Sequence, residues 1–152
     1  MSERAVSVDE EAEHLLDLYA GNGPAIMDAI QRQMGILAGR AQMLLQLAGL
    51  TITVTGFSGA SIAHSGRLGA ILIVSGLVLV LIAASITMVG ILRVQWTTSL
   101  APMPLPEAVR RALRLRDEKT TAYGRALSVL VVGLALYVSS VAVLLLGNLP
   151  AH

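Results

Sequence analysis

The sequence contains no cysteine, few aromatic residues and little charge. Of its 152 residues, 14% are charged and 3% aromatic, whereas 55% are hydrophobic. The missing cysteine excludes disulfide scaffolds, thiolate metal sites and thiol catalysis. An ordinary soluble domain carries about 25% charged residues, and a domain of roughly 150 residues still leaves about 30% of its unfolded-chain surface in water. This much apolar surface cannot be buried in one small core, so the composition predicts a membrane protein.

Three long segments carry no charged side chain: 41–63, 68–92 and 126–147. A hydrocarbon core of ~30 Å needs about 20 helical residues, and each segment is long enough. None of them alternates apolar and polar residues as a membrane β-strand does. We therefore predict an all-α integral membrane protein with three transmembrane helices and helical cytoplasmic extensions.

Capping residues and helix breakers divide the chain further. Ser7 and Glu10 have the spacing of a capping box, the Gly21–Pro24 run interrupts the helix that follows, and alternating prolines before Glu107 predict a hinge. The predicted segments are an acidic amphipathic cytoplasmic helix 1–21, a long helix 24–63 that ends in the first span, a second span 68–93, a Pro-rich hinge 94–106, a basic cytoplasmic helix 107–125, a third span 126–147 and a tail 148–152.

The distribution of Lys and Arg predicts the orientation. Most of these residues lie before the first span and between the second and third, whereas the loop between the first two spans holds only Arg67. The positive-inside rule therefore places the N-terminus in the cytoplasm and the C-terminus outside. Arginine far outnumbers lysine, which indicates a GC-rich bacterial genome and hence the bacterial plasma (inner) membrane.

Small residues recur at every seventh position in each long helix. A seven-residue repeat keeps one stripe facing a left-handed partner, and small side chains let helix backbones approach closely in lipid. We predict that these stripes are packing seams, buried either within one three-helix unit or between subunits. The predicted packing and oligomer residues are Gly35, Gly49, Gly56, Gly69, Gly76, Ala83, Gly90, Gly133, Ser140 and Gly147, with Gln42 filling the one gap in the first helix.

Two polar groups of residues invite functional hypotheses. Thr51, Thr55 and Ser58 share a face of the first span, where their hydroxyls either bond back to their own helix or line a polar path or subunit contact. Residues 1–21 are strongly acidic, and the helix 107–125 carries a basic cytoplasmic face. One hypothesis is that the acidic helix docks on that face, in the same chain or in a neighbour. The alternatives are two solvated faces with the ordinary positive-inside bias, or a basic face that holds anionic lipid. The basic face comprises Arg110, Arg111, Arg114, Arg116 and Lys119.

No catalytic or metal-binding motif is present in the sequence. The histidines His14, His64 and His152 are scattered, and no acid lies inside any predicted span. Ion-coupled transporters and pumps usually place ionisable residues there. We therefore predict no enzyme, cofactor or metal site, and the net charge of +1 argues against nucleic-acid binding.

The layout of the chain resembles that of small bacterial membrane effectors of the Pycsar and SLATT type. The similar parts are the run from Gln31 to Leu45, the short 64–67 turn, the second span and the basic helix with Arg116-Asp-Glu-Lys119. The resemblance is one of layout, covers about residues 24–125, and leaves the third span as an addition. It implies copies that assemble and impair the membrane when a nucleotide signal arrives.

The sequence as a whole favours a non-enzymatic, self-associating membrane subunit or scaffold that presents cytoplasmic helices to a protein partner. One alternative is an oligomeric pore-forming or membrane-perturbing effector in defence or stress. Another is a small accessory subunit of a larger membrane complex. The expected partners are the lipid bilayer, including anionic lipid at the cytoplasmic face, further copies of the chain, and a protein bound to the cytoplasmic helices.

Overall fold

The computed structural model describes residues 7–63, 66–92 and 103–147. These residues are 92% helical and contain no strand. They form four helices: α1 (Val8–Leu18), α2 (Gly23–Ala63), α3 (Arg67–Gly90) and α4 (Leu105–Gly147). Three of these helices, α2, α3 and α4, are long and apolar enough to cross a membrane. The prediction of an all-helical chain with three such helices is confirmed.

The first two helices are joined by a tight turn with local caps. The Ser7 Oγ accepts a hydrogen bond from the Glu10 backbone N–H at 3.2 Å, which satisfies one of the free donors at the start of α1. Ala20 and Gly21 then adopt the left-handed conformation, with φ of 48° and 71°. The Asn22 side chain accepts from the Ala25 backbone N–H at 3.3 Å and caps α2. These contacts fold α1 back beside α2.

Helix α4 is one continuous helix of 43 residues. It contains both the predicted basic helix and the predicted third span, without a break at Gly124. It also includes Leu105 and Pro106, which we expected to belong to the hinge. Proline fits the first turn of a helix because its missing N–H would have no partner there. Residues 93–102 of the predicted hinge lie outside the described part of the chain.

The three long helices differ in length. Helix α3 has 24 residues, whereas α2 has 41 and α4 has 43. At about 1.5 Å per residue, α3 is roughly 36 Å long and the other two are roughly 60 Å or more. Gly90, the last residue of α3, lies against Ala122 of α4. The first halves of α2 and α4 therefore project together beyond the end of α3.

Two hydrophobic clusters divide the molecule along its length. The bundle core joins α2, α3 and α4 through Leu44, Ala48, Val80, Ala83, Ala126 and Leu130. A second cluster, beyond the end of α3, joins α1 to the first halves of α2 and α4 through Ala12, Ile26, Ile30, Val109 and Leu113. We call this second part the α1 module: α1 with residues 23–39 and 105–121. The apolar bundle thus carries a separate helical module at one end.

Candidate functional site

Helices α3 and α4 touch through their backbones at two glycines. A Cβ atom placed on Gly76 would lie 2.8 Å from the Gly133 carbonyl oxygen and 3.0 Å from the Tyr137 nitrogen. A Cβ atom placed on Gly133 would lie 3.0 Å from the Gly76 carbonyl oxygen. Neither helix backbone can yield to such a contact without moving the whole helix. The two positions therefore require glycine for the observed packing of α3 on α4.

The predicted seams of α3 and α4 lie largely inside this single chain. On α3, Gly69, Gly76 and Ala83 are buried, and a Cβ atom on Gly90 would lie 2.9 Å from that of Ala122. On α4, Gly133 and Ser140 are buried. The Ser140 hydroxyl donates to the Tyr137 carbonyl oxygen at 2.7 Å. The surroundings of Gly147 lie outside the described side chains. These seams are accounted for by packing within one three-helix unit.

The predicted seam of α2 is placed differently. Helix α2 packs on the other two helices through another face, which includes Ala41, Leu44, Ala48, Thr51 and Thr55. The glycines at 35, 49 and 56 are exposed, and a Cβ atom on any of them would have no neighbour within 4 Å. The structure therefore does not bring them together with the glycines of α3 and α4.

The exposed surface of α2 has two chemically distinct faces. One face carries large apolar side chains at seven-residue steps: Ile36, Met43, Leu50 and Phe57. The other carries only small residues and amides, all exposed. We call it the glycine–glutamine face, and its residues are Gly35, Gly39, Gln42, Gln46, Gly49, Thr53 and Gly56. Elsewhere α3 and α4 expose mainly valine, leucine and isoleucine, so this face stands apart from the rest of the bundle surface.

The amides of the glycine–glutamine face lie beside the apolar bundle core. Gln42 and Gln46 flank Leu44, which packs in one cluster with Val80 and Ala83. Within the described part of the chain, neither glutamine side chain makes a hydrogen bond. The Thr53 hydroxyl donates to the Gly49 carbonyl oxygen at 2.9 Å. Two amides thus project outward from the half of the bundle nearer the α1 module, roughly 3 and 9 Å along α2 from Arg40.

The glycine–glutamine face contains residues that were not predicted as part of a seam. Gly39, Gln46 and Thr53 form a second seven-residue series, offset by four residues from the series that begins at Gly35. Alternating steps of four and three residues are the signal that identifies such a double stripe. A pattern of small residues alone does not include this series, because two of its members are polar.

The hydroxyls proposed for a polar path are bonded within α2. The Thr51 hydroxyl donates to the Leu47 carbonyl oxygen at 2.9 Å, and the Thr55 hydroxyl donates to the Thr51 carbonyl oxygen at 2.7 Å. Both threonines are buried against the other helices. The side chain of Ser58 lies outside the described part. Of the two interpretations left open by the sequence, the structure shows the first for Thr51 and Thr55.

A charged contact joins α1 to α4 in the α1 module. The Arg116 guanidinium donates from Nη1 and Nη2 to the two carboxylate oxygens of Glu11, at 2.6 and 2.7 Å. Such a two-point pair has both the strength and the geometry of a charge-assisted contact. Arg116 also donates to Gln33 of α2 and to its neighbour Asp117. The acidic first helix therefore docks on the basic helix within one chain, through a residue that also reaches α2.

The environment of Arg116 favours its charged form. The hydrogen bond to Glu11 raises the pKa of the guanidinium, partial burial works against this, and Asp117 raises the pKa further. The net result is a pKa above the ordinary arginine range. The contact is therefore an ion pair throughout the pH range in which the Glu11 carboxyl is ionised.

The predicted basic face is divided by this docking. Arg110 Nε lies 2.9 Å from Asp9 Oδ1, an ion pair whose N–H is not aligned for a hydrogen bond. Arg110 and Arg116 thus hold α1, while Arg111 and Arg114 are exposed. With Glu107 and Arg110, these two arginines line a shallow cleft on the outside of α4. Lys119 lies half-buried further along the helix.

No group of histidine, aspartate and glutamate side chains in the described residues has the arrangement of a metal site. The chain matches no protein-family model, no curated protein and no solved structure. Any function proposed for it therefore rests on its own residues. The two features on which a function can be proposed are the glycine–glutamine face of α2 and the ion-paired α1 module.

Proposed function

We propose that this protein is a membrane-embedded subunit that associates with further copies of itself and holds the α1 module at one membrane surface. The glycine–glutamine face of α2 carries this proposal. Lipid offers no hydrogen-bond partner, and an unpaired amide in an apolar medium costs roughly 2–7 kcal/mol. Gln42 and Gln46 project from the apolar bundle, so we infer that another protein surface covers them.

The dimensions of the bundle support insertion into a bilayer. Helix α3 is roughly 36 Å long, which fits a hydrocarbon core of ~30 Å with its interfaces. The exposed surface of α3 and of the second half of α4 consists mainly of large apolar side chains. Arg40 and Arg125 are exposed near the junction of the bundle with the α1 module. With the other basic residues of the module, they favour a cytoplasmic module at a bacterial plasma membrane.

The outer surface of the α1 module is the part available to a cytoplasmic partner. Arg111 and Arg114 are exposed there, next to Glu107. Exposed arginines near a membrane surface attract anionic lipid at about 1 kcal/mol each, and their planar donors also suit carboxylates of a protein partner. We propose that this surface binds the cytoplasmic partner. Helix α1 is not the binding surface, because it is docked on α4 of the same chain.

The test of self-association is the native mass of the purified protein in mild detergent, with bound detergent and lipid subtracted. We expect a defined multimer for the unaltered chain. Gly49→Leu places a large side chain on the glycine–glutamine face and is expected to shift the particle toward the monomer. Leu50→Ala is the matched control, because it alters the adjacent apolar face and should leave the mass unchanged. A monomeric unaltered chain would contradict the proposal and point to an accessory subunit of another complex.

A pore is the second candidate, and the same face favours it. In a ring of four or more copies with α2 inward, Gln42, Gln46 and Thr53 would lie along a central polar path. Ion flux from liposomes that contain the reconstituted multimer tests this function. We expect Gln46→Leu to reduce the flux of a pore. If mass analysis shows that the multimer is present and the liposomes still release no ions, the pore is eliminated and the subunit role remains.

A further inference from the structure

We infer that the glycine–glutamine face of α2 binds the same face of a second copy in parallel, with Gln42 and Gln46 each opposite its own counterpart. This inference rests on the proposed self-association and specifies its interface. Its occupant is a second copy of this chain, because the chemistry of the face is self-complementary.

The spacing is that of a two-stranded helical seam. Gly35, Gln42, Gly49 and Gly56 form one seven-residue series, and Gly39, Gln46 and Thr53 form the other. Together they alternate in steps of four and three, which matches the two core positions of a parallel coiled coil. All seven residues are exposed in the single chain. Two such stripes remain in register over about 30 Å when the helices cross with a left-handed twist.

Membrane insertion makes the parallel arrangement the natural one. Copies of one chain insert with the same orientation, and a two-fold axis along the membrane normal brings identical residues to the same depth. An amide side chain carries both donors and an acceptor, so Gln46 can bond to Gln46 of a second copy. A polar residue at a core position of a helical seam fixes its register and copy number.

The glycines and the neighbouring apolar face support this arrangement. Gly39 and Gly49, which lie on either side of the pair of amides, let the two backbones come close enough for the side chains to pair. The adjacent face, with Met43, Leu50 and Phe57 exposed, then remains toward lipid. A contact through that apolar face would instead leave Gln46 facing lipid without a hydrogen-bond partner.

Absence of native cysteine permits a direct test by disulfide cross-linking in membranes. A disulfide requires Cα atoms about 4.4–6.8 Å apart, which only a close seam provides. We expect Gly49→Cys to form a covalent dimer under mild oxidation, on a gel without reducing agent. Leu50→Cys is the matched control on the apolar face, one residue away, and is expected to remain mainly monomeric. Equal cross-linking of the two variants would overturn the inferred face.

A combination of two cysteine variants tests whether the copies associate through a different interface. Ala135 is an exposed small residue of α4, and it offers a different surface to a neighbouring α2. A native multimer that cross-links only when Gly49→Cys is combined with Ala135→Cys would establish a head-to-tail contact. That result overturns the two-fold interface and keeps the proposed function. A monomeric mass without any cross-link would overturn both.

The role of the amides has its own measurement. Interhelical polar contacts in membranes contribute about 1 kcal/mol, which corresponds to a dimer about fivefold weaker when the contact is lost. We expect Gln46→Leu to weaken dimerisation by about that factor in a dilution series of the detergent-solubilised chain. Gln46→Asn, which keeps an amide, should retain more affinity than leucine. A leucine variant that dimerises as well as the unaltered chain would overturn amide pairing.

Discussion

At Gly133 the backbone of α4 lies against that of α3, and a single methyl group is enough to disturb the contact. We predict that Gly133→Ala destabilises the chain by about 1–3 kcal/mol, the usual cost of overpacking a close-packed interior. The added Cβ atom would lie 3.0 Å from the Gly76 carbonyl oxygen and 3.1 Å from the Leu79 Cβ. The measurement is the thermal unfolding temperature in a fixed detergent.

Gly124→Ala is the control for Gly133→Ala, because both glycines lie in α4. A Cβ atom on Gly124 has no neighbour within 4 Å. Alanine is favoured over glycine in a helix by about 1 kcal/mol, so this variant should unfold at the same temperature or higher. If both variants are destabilised equally, the close contact of α3 with α4 is not the cause of the lost stability.

At the scale of the element, α1 is held by charge as well as by apolar contacts. Arg116→Gln removes both bonds to Glu11 and leaves that carboxylate in a partly buried site. Loss of charge-assisted hydrogen bonds costs about 1.5–3 kcal/mol, so we expect hydrogen exchange of α1 amides to accelerate by roughly tenfold or more. Arg111→Gln removes an exposed arginine of the same helix and should leave exchange unchanged. Equal protection in the two variants would show that apolar packing alone holds α1.

The same contact predicts how α1 responds to alkaline pH. A base whose pKa is raised on folding contributes stability that is fully present below its unfolded pKa and is lost only as the pH exceeds the folded value. The pKa of Arg116 is raised above the ordinary arginine range. We therefore expect α1 amides to show the same opening free energy at pH 7 and pH 9, after correction for intrinsic exchange. An α1 that opens within that interval would contradict a dominant role for Arg116.

Local signals in the sequence predicted the elements well. The apolar runs predicted three long helices, and Ser7 predicted the start of α1. Opposite charges made the docking of α1 on α4 one of two hypotheses, and they did not decide between docking and two solvated faces. Alternating prolines favour an extended chain and so predict a hinge at Pro106, yet its place in a helical first turn depends on the residues that follow it. The conformational preferences of proline fit both an extended hinge and the first turn of a helix, so they do not decide between the two.

The glycine seams show where sequence reasoning stops. All three long helices carry similar seven-residue repeats, but those of α3 and α4 meet each other and that of α2 faces outward. A stripe of small residues indicates a close approach and does not identify the partner, because tertiary packing determines which stripes meet. The sequence does not show that Gln42 and Gln46 lie outside the packing face of α2. The structure shows it, because α2 packs on α3 and α4 through the face that includes Leu44 and Ala48.

At the scale of the whole molecule, the two-part construction makes a prediction about topology. The bundle core and the α1 module are stacked along α2 and α4, so the proposed insertion of the bundle in a membrane would leave the whole module on one side. Arg67, at the start of α3, lies at the opposite end of the bundle. In intact cells, a membrane-impermeant thiol reagent should therefore label Arg67→Cys and leave Arg111→Cys unlabelled until the cells are opened.

The cysteine-free background makes each labelled position unambiguous, and Asp17→Cys on α1 provides the internal control. Because α1 is docked on α4, Asp17→Cys and Arg111→Cys must report the same side. The reversed pattern would place the module outside and contradict the positive-inside orientation while preserving the fold. Labels on opposite sides for Asp17→Cys and Arg111→Cys would be incompatible with the docked α1, because the Glu11–Arg116 pair cannot form across a bilayer.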